Sequence, residues 1–151
     1  MPHILVVDDD AIVSRSMRFW FGRDGHSVVI ANGAEDGVEA LGCERFDIMI
    51  IDIFMPHMDG FESIRRFHAA APGVPLIALS GYAFAESHSP APDFMRMALA
   101  FGASRCIRKP FKPRELLAVI TGCLSGPQIP PPVDSLAQAS MRTLQHFRLD
   151  E

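Results

Sequence analysis

The chain has 151 residues, of which 48% are hydrophobic and 21% charged, and it carries a formal net charge of −4. That length suits one domain with some remainder, and its apolar share is enough for a sizeable core and too high for a disordered chain. The acidic balance, with no basic stripe, gives no electrostatic footing for direct nucleic-acid binding, and no apolar run approaches the ~18 residues of a membrane span.

In chain order, short apolar runs alternate with longer amphipathic stretches. The first run, "HILVV" (3–7), reads as a strand and is followed at once by three carboxylates, Asp8, Asp9 and Asp10. A helix is expected over 11–23. It contains "RFWF" (18–21), whose three aromatics cannot all face a sheet, because helix neighbours point ~100° apart. Core packing is expected to take two of them, leaving Trp20 or Phe21 as a candidate surface contact. "SVVIA" (27–31), "DIMII" (47–51), "PLIAL" (75–79) and "RCIR" (105–108) read as the remaining strands. Helices are expected at 34–42, 60–69, 93–102 and 113–124, with Pro113 suited to a first turn. Strands of nearly continuous Val, Ile and Leu suit a parallel sheet buried on both faces. Five such repeats imply right-handed crossovers and an α/β, doubly wound five-stranded parallel sheet flanked by helices.

Beyond Leu124 the composition changes. Residues 125–134, "SGPQIPPPVD", read as a stiff linker, and 135–151 as a short tail of about four helical turns with Ala137, Met141 and Leu144 on one side. The expected organisation is a domain at 1–124, the linker, and the tail. Cys43, Cys106 and Cys123 form no metal-binding or disulfide pattern and are expected to be reduced thiols. With no signal-peptide pattern at the N-terminus, a cytoplasmic protein is expected.

Three acids at a strand end need an explanation. Two carboxylates ~4 Å apart repel by ~4 kcal/mol at an effective dielectric of ~20. In open parallel sheets, ligands bind beyond the carboxyl ends of the strands. That rule brings together Asp8 and Asp9 after the first strand, Asp52 after the third, Ser80 after the fourth and Lys109 after the fifth. Asp10 is either a helix cap or a further member of the group. Oxygen-only ligands with room for water and phosphate favour magnesium, which with Lys109 offsets the repulsion. The chemistry this suits is phosphoryl transfer to a carboxylate, with cation, ammonium and hydroxyl placing the phosphoryl oxygens.

The blocks "LVVDDD" (5–10), "IIDIFMPHMDGFE" (50–62), "IALSG" (77–81) and "RKPF" (108–111), in that order, resemble the receiver domain of bacterial two-component response regulators over roughly residues 2–124. The resemblance implies a flavodoxin-like receiver architecture and a phosphoacceptor switch, not an enzyme, that promotes its own phosphorylation and dephosphorylation. It implies Asp52 as phosphoacceptor. Asp9 would bind Mg2+ directly and Asp8 would assist through water, with Asp52 and the backbone carbonyl of Phe54 completing the protein ligands. Ser80 and Lys109 would contact the phosphoryl group, and the Lys109–Pro110 peptide would be cis. Phe54 and Tyr82 stand where the family tunes phosphoryl lifetime. A histidine kinase or histidine phosphotransferase would dock near the first helix and the loop after Lys109. The signal would leave through 80–103 to an unknown downstream protein, and a homodimer through the fourth-helix and fifth-strand face is a further option.

Two departures stand out. Cys106 occupies a position where the family commonly has Tyr or Phe, and the segment holding "AFAESHSPAPDF" (83–94) is longer than usual. They keep open a receiver-like interaction module that works without phosphorylation. Asp8-x-Asp10 also opens haloacid-dehalogenase-like phosphatases, but no acidic pair follows Lys109 in the required setting.

Overall fold

The computed structural model describes residues 2–53, 60–80 and 91–125, the side chains of 91–94 excepted. Five strand–helix units follow one another: β1 (His3–Val7), α1 (Ala11–Arg23), β2 (Ser27–Ala31), α2 (Ala34–Cys43), β3 (Ile48–Asp52), α3 (Gly60–Ala70), β4 (Leu76–Ser80), α4 (Ala91–Ala100), β5 (Arg105–Arg108) and α5 (Pro113–Ser125). The strands form one sheet in the order β2-β1-β3-β4-β5, every pair parallel. This is the doubly wound arrangement that the strand pattern predicts.

Alternation along the strands divides the core into two layers. Leu5, Val7, Met49, Ile51, Leu76 and Ala78 point to one face, where Ile64 and Phe67 of α3 and Ala98 of α4 cover them. Ile4, Val6, Ile48, Ile50, Ile77 and Leu79 point to the other, against Met17 and Phe21 of α1 and Leu116 and Ile120 of α5. Helices on both faces bury the central strands β3 and β4 completely, while the edge strand β5 is buried nowhere along its length.

Two strand ends lie one residue further along than expected. Asp52 is the last residue of β3, paired with Leu79, and Ser80 is the last of β4, paired with Arg108, so both site positions belong to the ladder rather than to the loops. Helix α4 starts at Ala91, earlier than the expected 93, because Pro92 is compatible with a first helical turn. It ends at Ala100 instead of 102, where Gly102 takes a φ of +123°, a left-handed conformation suited to glycine.

In α1 the buried positions are Ser14, Met17 and Phe21, a spacing that turns Phe19 outward. The exposed aromatic of "RFWF" is therefore Phe19, not Trp20 or Phe21: Phe21 is buried and Trp20 packs partly into the core. At Gly60 a side chain would run into the carbonyl of Ile53, so the start of α3 presses on the chain just after Asp52. The linker and tail expectations lie outside the described residues.

Candidate functional site

The carboxyl ends of β1, β3, β4 and β5 deliver one polar group each to the same edge of the sheet. Asp8 extends the β1–β2 ladder by one residue, its amide donating to the Ala31 carbonyl at 3.1 Å, and is 1% exposed. Its carboxylate is held from two sides, accepting the Asp10 amide at 2.9 Å and the Lys109 ammonium at 3.2 Å. The Ser14 hydroxyl donates to the Asp8 carbonyl at 3.3 Å, tying α1 to the same residue. Asp10 caps α1, its carboxylate accepting from the amides of Ile12 and Val13 at 2.9 and 3.4 Å, which settles the choice left open for it.

Asp52 and Ser80 are each 5% exposed. Lys109 Nζ donates to Asp52 Oδ2 at 3.1 Å as well as to Asp8, so one ammonium bridges the ends of β1 and β3. Lys109 is set by its own backbone, whose amide donates to the Ser80 carbonyl at 2.8 Å, and by the cis Lys109–Pro110 peptide that the resemblance implies. The Ser80 hydroxyl donates to the Ile107 carbonyl at 3.5 Å, the outer limit of such a contact.

Asp9 projects into solvent, yet one carboxylate oxygen from each of Asp8, Asp9 and Asp52 lies within 4.8 Å of the others. Burial pushes the Asp8 carboxyl up and the Asp52 charge adds to that, while the Asp10 amide and Lys109 pull it back without cancelling the rise. Burial acts to lower the Lys109 ammonium, but the charges of Asp52 and Asp8 outweigh it and raise it, so the cation persists at neutral pH. Three carboxylates facing one ammonium leave an excess of negative charge. An all-oxygen donor set of this kind fits a hard divalent cation such as magnesium.

Asp8, Asp9, Asp52, Ser80 and Lys109, all singled out from the sequence, thus share one end of the sheet. Phe54 and Tyr82 lie outside the described residues. Ser14 and the Asp10 amide, which hold Asp8 in place, were not anticipated: a serine on a helix and a backbone N–H carry no sequence signal for this role.

The family model described as the response regulator receiver domain matches residues 4–121. The response regulator SaeR of Staphylococcus aureus is 29% identical over 125 residues, covering 83% of this chain and 51% of that protein. The chain therefore spans about half the length of the curated relatives it matches. Among solved structures, a CheY-like receiver domain protein from Methanospirillum hungatei JF-1 is 32% identical with a TM-score of 0.72, over 82% of this chain and 94% of that one. The chemotaxis protein CheY4 of Vibrio cholerae is 27% identical with a TM-score of 0.70, over 82% and 99%.

The chain belongs to the response regulator receiver domain family. Its class is that of the phosphoacceptor switches of two-component phosphorelay signalling.

Proposed function

We propose that Asp52 accepts a phosphoryl group, in a magnesium-dependent reaction, from the phosphohistidine of a histidine kinase or histidine phosphotransferase. The observation that carries this reading is the Lys109 ammonium bound at once to Asp8 and Asp52, at a sheet edge where three carboxylates converge. In the transfer, an Asp52 carboxylate oxygen bonds to phosphorus as the phosphorus–nitrogen bond breaks, and the departing imidazole nitrogen keeps the electron pair and takes up a proton. Lys109 contacts the incoming phosphoryl oxygens, and Ser80, whose hydroxyl is only weakly engaged, turns to donate to another. Asp8, Asp9, Asp52 and the Phe54 carbonyl would hold magnesium, which supplies positive charge against the phosphoryl oxygens. Hydrolysis of the aspartyl phosphate resets the switch, so the chain works as a phosphoacceptor and not as a turnover enzyme.

The receiver unit is residues 1–124, followed by the linker at 125–134 and the tail at 135–151, in a protein working in the cytoplasm. The phosphodonor docks on α1 and the loop after Lys109. Ile12 and Phe19 are 78% and 62% exposed there, the two most exposed large apolar side chains among the described residues. The downstream signal leaves through 80–103. Cys106, half-buried on β5, is too small for the aromatic rearrangement usual in the family, so the coupling runs through the segment after Ser80.

Incubation with acetyl phosphate and magnesium, followed by intact-mass measurement, tests the site. The wild-type chain is expected to gain about 80 Da, the mass of one phosphoryl group, and Asp52→Asn to gain nothing. Equal labelling of the mutant overturns the assignment.

A further inference from the structure

Helix α1 carries a charge opposite to that of the chain. It holds Arg15, Arg18 and Arg23, all exposed, and no acidic residue, while the chain as a whole carries −4. Among the described residues, none of the three guanidinium groups is paired with a carboxylate. Placed at 100° per residue, Ile12, Arg15, Ser16, Phe19 and Arg23 share an arc of roughly 100°. Met17 and Phe21, both buried, occupy the opposite side.

This outward face has an apolar centre and a cationic rim. Ile12 and Phe19, 78% and 62% exposed, stand about two turns apart. Ser16 lies between them, but its hydroxyl donates to the Ile12 carbonyl at 2.9 Å, which turns its polar group back onto the helix. The Arg23 guanidinium sits 5.7 Å from the centre of the Phe19 ring, a cation–π distance that keeps a positive charge against the apolar centre. Exposed apolar groups rimmed by unpaired cations are complemented by a surface that is apolar and anionic. The face also has a direction. Its Ile12 end adjoins Asp8, Asp9 and Asp10, and so the sheet edge that carries Asp52. Arg23 lies about 16 Å further along, at ~1.5 Å per residue.

We propose that the phosphodonor meets α1 with an acidic amphipathic helix, its apolar residues covering Ile12 and Phe19 and its carboxylates facing Arg15 and Arg23. The proposal rests on the reading of Asp52 as phosphoacceptor and of α1 as the docking helix. It adds the chemistry by which a donor is recognised, and with it a sign that net charge does not predict: an acidic chain that prefers an acidic donor.

Two synthetic helical peptides test it, each with one phosphohistidine and the same leucine stripe, one flanked by Glu and the other by Lys. In the transfer the phosphorus–nitrogen bond breaks as an Asp52 oxygen bonds to phosphorus, and the imidazole nitrogen keeps the electron pair and takes up a proton. Initial rates are read by intact mass in magnesium and divided by the rate of the same protein with acetyl phosphate. At low salt the Glu peptide is expected to transfer at least about fivefold faster than the Lys peptide. The difference should collapse in about 1 M salt, where charges are screened beyond ~3 Å. Arg15→Glu/Arg23→Glu should reverse the preference. Arg65→Glu, at an exposed position of α3 on the other face of the sheet, should preserve it. Far-ultraviolet circular dichroism is the check that the variants keep the fold. The proposal is overturned by equal or faster transfer from the Lys peptide, by a preference that survives Arg15→Glu/Arg23→Glu or high salt, or by one that Arg65→Glu abolishes. It is also overturned when neither peptide transfers while acetyl phosphate still labels Asp52, and the phosphoacceptor reading then stands. Labelling by none of the three donors removes that reading, and this proposal with it. Transfer per molecule that falls as the protein is concentrated overturns it as well, because a second copy then covers the face.

Discussion

The central strands and the edge strand build the same site under opposite conditions. β3 and β4 are buried at every residue and β1 at all but His3, and they end in Asp8, Asp52 and Ser80, which are themselves buried. β5 is exposed at Arg105 and Arg108 and only half-buried between them, yet it delivers Lys109 to the same edge. The acids are thus fixed by a close-packed core, and the cation that answers them follows the most exposed strand. In a switch, that division places the fixed groups where phosphoryl chemistry needs geometry, and the adjustable group where a change of charge can be passed to the surface.

The largest expected contrast is in stability. Ile50 is fully buried in β3, so Ile50→Ala should cost about 2–5 kcal/mol through lost transfer energy and a cavity. Ile107, its half-buried counterpart on β5, should cost less than about half of that, because part of its apolar area is already in water. Urea unfolding of both variants measures the difference. Equal losses would mean that β5 is as firmly held as the centre and would break the comparison.

Much of this was legible in the sequence, because continuous aliphatic runs and strand-end carboxylates are local signals. All five strands lie within one residue of their expected bounds. The shifts at Asp52 and Ser80 arise because ladder hydrogen bonds continue past the last apolar side chain, which hydrophobicity cannot show. Helix α4 starts before its expected bound because proline, unsuited to a helix interior, fits a first turn at Pro92. The dual contact of Lys109 was not legible as geometry: it joins residues 101 apart to Asp8 and 57 apart to Asp52, and only the closed sheet sets those distances. Phe19 was misjudged because which aromatic faces outward depends on the rotation of α1, fixed by Met17 and Phe21.

A smaller effect, with opposite signs at the two ends of one ion pair, sharpens the contrast between the fixed anions and the cation after the exposed strand. Lys109→Ala leaves Asp8 and Asp52 facing each other without their ammonium, and should destabilise the chain at pH 7 by on the order of 3 kcal/mol. Asp8→Asn should stabilise it in chelator. The folded Asp8 carboxyl titrates above its ordinary value of 3.8, chiefly because it is buried. Its ionisation therefore costs stability as pH rises from about 3.8 through the folded value, and the cost is absent below 3.8, where both states are protonated. The Asp8→Asn advantage should accordingly be largest at neutral pH and vanish as pH falls toward 3.8. Saturating magnesium should narrow or reverse the order, since a cation bound at 100 times its Kd adds about 2.7 kcal/mol to the wild type and less to Asp8→Asn, which keeps Asp9 and Asp52 but lacks one of the three carboxylates. Melting curves at several pH values, with chelator and with magnesium, decide it. If Asp8→Asn melts below the wild type in chelator at pH 7, burial of charge is not the dominant cost at this end of the sheet.

The smallest effect is kinetic and tests whether the edge strand is the part that moves. Cys43 is exposed at the end of α2, while Cys106 is half-buried on β5, where burial pushes its thiol up and the Arg108 charge only partly opposes this. Since the thiolate is the nucleophile, iodoacetamide at pH 8 should label Cys43 first and Cys106 last, with half-buried Cys123 between them. Cys106 sits in register with Ala78 of β4, three residues before Lys109. A rearrangement of Lys109 and Ser80 around beryllofluoride, a phosphoryl mimic, should therefore change the Cys106 rate several-fold in magnesium. Cys43, on the far side of the central strands, should keep its rate. Peptide mass measurements over a labelling time course separate the three thiols. A Cys106 rate that beryllofluoride leaves unaltered would show that β5 holds Lys109 as rigidly as β1 and β3 hold the acids, and the adjustable element would then have to lie in the segment after Ser80 instead.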